Sequence, residues 1–149
     1  MKLKIVNKST NALPEYKTPD SSGMDLRAYL PEGSITLAPM ERKIIPTGLC
    51  MEIEQGYEGQ VRPRSGCAVK QGLTVINAPG TIDADYRGEV GVPLINLSTE
   101  PQTIENGDRV AQIVFAPYAK VEEIIEVSDV SEMTDTERGA GGFGHSGKK

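Results

Sequence analysis

The residues that could support catalysis fall in short polar segments between apolar runs. The most acidic of these segments covers residues 80–89 and carries Asp83, Asp85, Arg87 and Glu89. In a strand, the two aspartates would point to one side and Ala84 to the other. The local sequence leaves three interpretations open: a solvated turn, a metal site built from both carboxylates, or one carboxylate acting as a base while the other pairs with Arg87.

A second segment, Arg62-Pro63-Arg64-Ser65-Gly66, ends a predicted strand and opens a short predicted helix. The first N–H groups of a helix have no partner within it and bind anions well. Ser65 is therefore either a helix cap or, with Arg64 beside it, part of a phosphate site. The segment lacks the spacing of a nucleotide-binding P-loop.

The third segment is the glycine-rich tail around Phe143, one of two phenylalanines in the chain. Arg138 could take a terminal phosphate, the Phe143 ring could stack on a base, and backbone N–H groups with Ser146 could take phosphate oxygens. The alternative is a disordered tail with an isolated aromatic residue. The mixture of arginine, glycine, aromatic and hydroxyl residues favours nucleotide binding.

Two further segments carry charges within predicted strands. Asp25 lies in the apolar run 24–30, and an inward carboxylate needs a partner. Residues 106–115 predict a turn feeding an alternating strand that contains Gln112, and alone this pattern indicates an ordinary hairpin.

These segments must be positioned by an all-β scaffold. Short alternating runs separated by glycine, proline, asparagine and aspartate are typical of a β-sandwich or barrel. One short helix is predicted over residues 65–72, with a serine start and a glycine stop. We expect a body over residues 1–127 and a flexible, glycine-rich C-terminal arm over residues 128–149. The predicted strands are 3–6, 24–30, 34–37, 41–45, 49–53, 57–62, 73–76, 89–97, 102–104, 109–118 and 121–127.

Bulk properties narrow the function classes. At 149 residues the chain is long enough for one domain with a real core. A net charge of -5 argues against a nucleic-acid partner, although a small phosphorylated ligand is compatible with it. Cys50 and Cys67 fit two reduced thiols rather than a disulfide framework. No signal or membrane-spanning segment is predicted, so a cytoplasmic location without membrane attachment is expected.

In order and spacing, the segments from Ser22 to Gly147 resemble the five motifs of the trimeric dUTPase family. The resemblance implies a jelly-roll β fold and a homotrimer with three shared active sites. In that family the first, second and fourth motifs of a site come from one subunit, the third from a second subunit, and the tail from the third. The implied reaction converts dUTP and water to dUMP and pyrophosphate, which limits uracil incorporation into DNA and supplies dUMP for dTMP synthesis.

The resemblance also implies residue roles. Asp83 would activate the attacking water, and Mg²⁺ would be held by the triphosphate while Asp25 contacts its waters. Hairpin backbone groups would recognise uracil, and Tyr86 would pack on the sugar where a ribose 2′-hydroxyl would sit. The implied substrate-binding residues are Arg64, Ser65, Gly66, Asn77, Gly80, Thr81, Ile82, Tyr86, Gln112, Arg138, Phe143 and Gly144.

One position departs from the family pattern, and two rival functions have distinguishing features. The family tail usually has a hydroxyl residue where this chain has His145, so a side-chain phosphate contact there is not implied. A dCTP deaminase, a relative with the same core fold, would use a glutamate to activate water at the base. A nucleotide-sensing or protein-binding module that has lost catalysis would lack Asp83, Arg64 or Arg138, and all three are present.

Overall fold

The computed structural model describes residues 1–142, and within them the chain forms antiparallel strands, one α-helix and one short 3-10 helix. The predicted all-β class with a single short α-helix is confirmed for this part of the chain. The 3-10 helix spans Val130–Glu132. In chain order the other elements are β1 (Leu3–Asn7), β2 (Gly23–Arg27), β3 (Ser34–Leu37), β4 (Arg42–Ile45), β5 (Leu49–Ile53), β6 (Tyr57–Arg62), α1 (Ser65–Gln71), β7 (Leu73–Val75), β8 (Gly80–Ile82), β9 (Val92–Asn96), β10 (Gln102–Glu105) and β11 (Arg109–Pro117).

The sheet that positions most of the predicted site residues has four strands in the order β2-β11-β6-β8. Because β11 lies between β2 and β6, Gln112 is opposite Asp25 on one side and opposite Arg62 on the other. β8 pairs residues 80–82 with residues 59–61 of β6. It is the outermost strand of this sheet within the described residues.

One hydrophobic core joins this sheet to the other three, which are β4-β9-β7, β1-β5 and β3-β10. Each sheet contributes side chains that are almost inaccessible to solvent, such as Ile113, Leu94, Met51 and Leu37. Strand alternation produces this arrangement, as in β5, where residues 49, 51 and 53 are buried and the two between them are not. Burying one such side chain stabilises the fold by roughly 1.5–3 kcal/mol.

Helix α1 ends against the core sheet in a way that fixes the segment before it. Gly72 is its C-cap, with φ 66° and ψ 14° in the left-handed region that favours glycine. A Cβ on Gly72 would stand 2.8 Å from both the Cβ and the backbone N of Ser98. The carbonyl of Gly72 accepts a hydrogen bond from the N–H of Leu97 over 2.9 Å. The turn that carries Arg64 is therefore held between β6 and an anchored helix.

The strand predicted over residues 121–127 is wrong: residues 118–127 belong to no strand or helix. Val121, Ile124 and Ile125 supplied the apolar pattern, and their exposed fractions are 73%, 88% and 74%. An apolar run becomes a strand only when a neighbouring strand takes up its backbone hydrogen bonds, and the sequence pattern cannot supply that partner.

The chain divides into a compact unit over Met1–Ala119 and a second unit that starts at Lys120. Within the second unit, the 3-10 helix begins with a capping box, in which the Asp129 carboxylate accepts from the N–H of Ser131 and the Glu132 carboxylate accepts from the N–H of Asp129. The functional division into a body over 1–127 and an arm over 128–149 stays a prediction. None of the helices in the described residues is both long and apolar enough to cross a membrane.

Candidate active site

Three charged residues meet at one place, which we call the corner: Asp25 on β2, Arg64 in the turn between β6 and α1, and Arg109 at the start of β11. Arg64 Nε donates to Asp25 Oδ1 over 2.7 Å, and Arg109 Nη1 donates to Asp25 Oδ2 over 3.3 Å. The side chains of Asp25 and Arg64 are only 19% and 25% exposed. The inward carboxylate of Asp25 thus has the partners that its place in an apolar strand requires.

The guanidinium of Arg64 is fixed by several acceptors. Its Nη1 also donates to the carbonyl of Arg109 over 3.3 Å and contacts Cys67 Sγ at 3.8 Å. Burial acts to lower the pKa of Arg64, but the hydrogen bond and negative charge of Asp25 outweigh it and raise that pKa above its ordinary value. Arg64 therefore stays charged and pre-oriented.

Gln112 lies next to the corner and faces the turn after β6. Its Nε2 donates to the carbonyl of Pro63 over 2.9 Å. Gly23 on β2 leaves the space for this side chain, because a Cβ there would stand 2.5 Å from Gln112 Oε1. The alternation that indicated an ordinary hairpin strand thus also places an amide beside the turn at Pro63.

Ser65 and Gly66 are the first two residues of α1 and are exposed. The helix cap is Arg64, in extended conformation, and no side chain forms a cap hydrogen bond. The interpretation of Ser65 as a side-chain cap is therefore wrong, and its hydroxyl stays available for a ligand. A Cβ on Gly66 would meet nothing within 4 Å, so the backbone is open to close approach at this point.

A cavity of about 480 Å³ opens beside the corner, within the size range of small-molecule pockets. Its lining includes three cationic side chains, Arg64, Lys70 and Arg109, together with Gly66 and apolar residues such as Leu94. Clustered cations around an open backbone suit a polyphosphate group.

The other predicted residues lie in a separate feature, residues 77–89, which we call the hairpin. Asn77 packs on Gly80, where a Cβ would stand 3.1 Å from Asn77 Nδ2. Gly80, Thr81 and Ile82 form β8 along the edge of the four-stranded sheet. Asp83 follows directly and is exposed.

A tight turn closes the hairpin after Asp83. The N–H of Tyr86 donates to the carbonyl of Asp83 over 3.1 Å. Arg87 Nη1 donates to the carbonyls of Ala84 and Tyr86, at 2.7 Å and 3.0 Å. Arg87 thus stabilises the turn through backbone acceptors, and among the ion pairs of residues 1–142 none joins it to Asp83 or Asp85.

One of the three interpretations of the acidic segment, the one that pairs an aspartate with Arg87, loses support from this geometry. Arg87 is not the partner of either aspartate. Residues 1–142 contain no group of three or more His, Cys, Asp or Glu side chains that could hold a metal ion, and a site built from two carboxylates alone stays a prediction. A free carboxylate at the end of β8 is the feature that the structure retains.

The structure brings Asp25, Arg64 and Gln112 together, but it does not bring Asp83 to them within one chain. Asp83 follows Ile82, whose partner Gly59 lies three residues before the end of β6 at Arg62. At about 3.3 Å per residue, the part of β6 from Gly59 to Arg62 places the end of β8 and the end of β6 about 10 Å apart along the strand direction. A base must come within hydrogen-bond reach of the water that it activates.

Arg138 lies in the second unit, where it is exposed and its Nε donates to the carbonyl of Gly141 over 2.9 Å. The predicted ligand residues Phe143 and Gly144 lie outside the described residues. The proposed contacts of the tail therefore rest on the sequence.

Sequence reasoning missed two residues that shape these features. Arg109 completes the corner, but its partner Asp25 is 84 positions away. For Glu89 a solvated turn is one of the open interpretations, and its Oε1 instead accepts from the backbone N–H groups of Thr47 and Gly48, at 3.1 Å and 2.8 Å. The only local signal for Arg109 was a charge beside an alternating strand, and for Glu89 there was none.

The antiparallel fold places the chain in the class of jelly-roll β proteins, which its structural neighbours share. The family model described as dUTPase matches residues 9–147, and the chain belongs to the dUTPase family. It is 54% identical over 147 residues to a deoxyuridine 5'-triphosphate nucleotidohydrolase from Finegoldia magna, covering 99% of both chains. A second relative of that name, from Cytophaga hutchinsonii, is 56% identical over 146 residues, which are 98% of this chain and 92% of the relative.

Solved structures agree with this assignment. A mutant dUTPase of Staphylococcus bacteriophage 80alpha, described with dUpNHpp, superposes with a TM-score of 0.86 at 26% identity and covers 98% of both chains. A mutant dUTPase from phage phi11 of S. aureus, described with a structural Mg(II) ion, has a TM-score of 0.77 at 24% identity over 87% of this chain and 98% of its own. The second likeness concerns the fold.

Proposed function

We propose that this chain is a dUTP diphosphatase, which hydrolyses dUTP to dUMP and pyrophosphate. The observation that carries the proposal is the match over nearly the whole chain to relatives named deoxyuridine 5'-triphosphate nucleotidohydrolase. The products give the reaction its place in metabolism: removal of dUTP limits uracil incorporation into DNA, and dUMP feeds dTMP synthesis.

The corner is the proposed triphosphate site, with Arg64, Ser65, Gly66 and Gln112 as ligands. In residues 1–142 the hydrogen bonds of Arg64 use Nε and Nη1, which leaves the two donors of Nη2 for phosphate oxygens. The hydroxyl of Ser65 makes no helix-cap hydrogen bond. We propose that it donates a hydrogen bond near the α,β-bridging oxygen and so assists the leaving group. The other cations of the cavity, Lys70 and Arg109, raise the positive potential there.

The hairpin is the proposed uracil site. Because β8 is an edge strand, part of its backbone N–H and C=O groups point away from β6 and can pair with a ligand. Gly80 to Ile82 would match the donor and acceptor pattern of uracil, with Asn77 assisting. Cytosine presents a different pattern and would leave these groups unpaired. Tyr86 is proposed to pack on the deoxyribose.

Asp83 is the proposed catalytic base. It accepts a proton from a water molecule, whose oxygen forms a bond to the α-phosphorus as the bond to the α,β-bridging oxygen breaks and pyrophosphate leaves. Its exposure and the backbone-directed bonds of Arg87 leave the carboxylate free to orient that water. A carboxylate is a weak base, so geometry must supply much of its effect.

The distance between Asp83 and the corner supports sites shared between subunits of a homotrimer. A hairpin that lies about 10 Å from the phosphate ligands along its own sheet fits a site that is completed by the hairpin of a neighbour. The arm would add Arg138 on the γ-phosphate, Phe143 on the uracil ring and Gly144 at the phosphates. Residues 134–149 can extend roughly 50 Å when stretched, enough to reach another subunit.

Mg²⁺ is the proposed cofactor, and the residues present fit an ion carried by the substrate. Mg²⁺ is usually held by one or two carboxylates, waters and phosphates rather than by an all-protein cage. Each oxygen of Asp25 already accepts an arginine donor and keeps further lone pairs, which suits hydrogen bonds from metal-bound waters. When bound, the ion neutralises triphosphate charge.

The free thiols of Cys50 and Cys67 fit the proposed cytoplasmic location.

Mixed trimers test the shared site. Three inactive chains are prepared: Arg64→Ala, Asp83→Asn, and a chain truncated after Thr136. Each pair is refolded together at equal amounts, and pyrophosphate release from dUTP is measured. If corner, hairpin and arm come from three different subunits, each pair restores about one quarter of the wild-type sites, because two positions must each be filled by the intact partner.

The outcomes separate the alternatives. Failure of one pair to complement would place those two features on the same subunit. Failure of all pairs, with refolded wild type active as the control, would refute shared sites. Ammonia release from dCTP by the wild type would favour the deaminase, and absence of pyrophosphate release from dUTP would refute the proposed function.

A further inference from the structure

The ring of Tyr86 is held against its own turn. Its hydroxyl donates a hydrogen bond to the backbone carbonyl of Glu89 over 3.0 Å. The ring also lies directly on Gly88, where a Cβ would stand 2.5 Å from Tyr86 Cζ and 2.9 Å from Cε2, and would overlap the hydroxyl as well. Carbon atoms at van der Waals contact are about 3.5–4.0 Å apart, so no side chain at position 88 is compatible with this ring position.

The backbone does not explain why position 88 is glycine. The φ of Gly88 lies outside the left-handed region, which within residues 1–142 holds Gly33, Gly48, Gly56, Gly72, Gly107 and Gly139. An alanine could adopt the same backbone conformation. The space taken by the Tyr86 ring is therefore the physical reason for glycine at this position.

We propose that Gly88 is a specificity-determining position that acts through Tyr86, a role which rests on the proposed function. Because Gly88 lacks a Cβ, the ring can lie where it blocks a ribose 2′-hydroxyl but leaves room for the 2′-hydrogen of a deoxyribose. The bond from the Tyr86 hydroxyl to Glu89 holds the ring in this position. A ribose hydroxyl pressed against the ring then meets ring carbons, which offer it no hydrogen-bond partner, and is disfavoured.

The test is the ratio of kcat/KM for dUTP to kcat/KM for UTP. In Gly88→Ala the ring must move by about 1 Å or more to restore normal contact, and its bond to Glu89 is lost. We expect the ratio to fall about tenfold or more, chiefly through a gain of UTP turnover.

Gly91→Ala is the matched control. It introduces the same methyl group three residues further along, where its Cβ would meet only the Cγ2 methyl of the exposed Ile44 side chain, at 2.6 Å. We expect it to leave the ratio unchanged. Thermal unfolding of both variants identifies any general loss of stability, which would lower both activities and not their ratio.

Two variants of Tyr86 complete the test. Tyr86→Phe keeps the ring and removes its bond to Glu89, so the ratio should fall about threefold, as expected for one hydrogen bond. In a Tyr86→Ala background, Gly88→Ala should no longer change the ratio.

An unchanged ratio in folded Gly88→Ala, or an undiminished effect of that change without the Tyr86 ring, would overturn the inference. If Gly88→Ala does not fold, an unchanged ratio in Tyr86→Ala would overturn it, because the ring would then play no part in discrimination. Absence of dUTP hydrolysis by the wild type would instead refute the proposed function, so the two failures are distinct.

Discussion

The corner and the hairpin are held in place by different kinds of interaction. In the corner, Asp25 joins Arg64 and Arg109, which lie 39 and 84 positions away in the chain, through side-chain ion pairs. In the hairpin, Asp83 and Tyr86 are positioned by backbone hydrogen bonds and by glycines that leave room for neighbouring side chains.

This difference separates two ways of preparing a site. In the corner, one carboxylate holds two guanidinium groups in place and leaves a net positive charge, so a phosphate binds to donors that are fixed in advance. Asp83 has no such partner among the described ion pairs, and its carboxylate is free to meet a water molecule. A change in the corner should therefore spread to its neighbours, whereas a change at Asp83 should remove one function only.

The largest expected effect comes from a substitution in the hairpin. Asp83→Asn keeps the shape of the side chain and removes its ability to accept a proton, so kcat should fall about 1,000-fold while a non-hydrolysable dUTP analogue still binds. Pyrophosphate release and equilibrium binding measure the two quantities. Asp85→Asn is the matched control and should change kcat less than threefold, about 0.6 kcal/mol. Comparable losses in both variants would contradict the assignment of the base.

The second prediction tests the coupling within the corner. Arg109→Ala leaves Asp25 with one cation and loosens Arg64, so kcat/KM should fall about tenfold, mainly through KM. Arg109→Lys should recover part of the loss, and Arg42→Ala, on exposed β4, serves as the control. A double-mutant cycle with Asp25→Asn should be non-additive, and strict additivity would argue against a coupled corner.

The smallest expected effect concerns the anchor of the hairpin. Glu89→Ala leaves the N–H groups of Thr47 and Gly48 without their acceptor, which should lower the free energy of unfolding by about 1–3 kcal/mol. Thermal unfolding measures this loss. Glu89→Gln retains an acceptor oxygen and should lose less. If turnover fell in Glu89→Ala far more than stability, the residue would act in catalysis rather than as an anchor.

Local sequence patterns predicted most of the scaffold. The strand periodicity and the serine and glycine at the ends of α1 depend on residues within a few positions of one another. The strand predicted over 121–127 failed because its apolar pattern does not specify a partner. The list of site residues came from the order of motifs that resemble a family, and their roles stay predictions.

Contacts between distant strands could not be predicted from the sequence. Arg109 looked like part of an ordinary hairpin because nothing near it reveals that β11 lies between β2 and β6. Glu89 looked like a solvated turn residue because its partners, Thr47 and Gly48, are 42 and 41 positions away. Both are consequences of strand register, which is fixed only when the sheets assemble around the core.

The edge position of β8 has a consequence for inhibitor design. If the base is recognised by main-chain groups of residues 80–82, substituting the exposed side chain of Thr81 leaves the recognised atoms in place. Point mutations would then offer few routes to a changed base preference, and a uracil-like inhibitor that binds this edge would be difficult to escape by mutation. Resistance would have to arise through the side chains that surround the sugar and the phosphates.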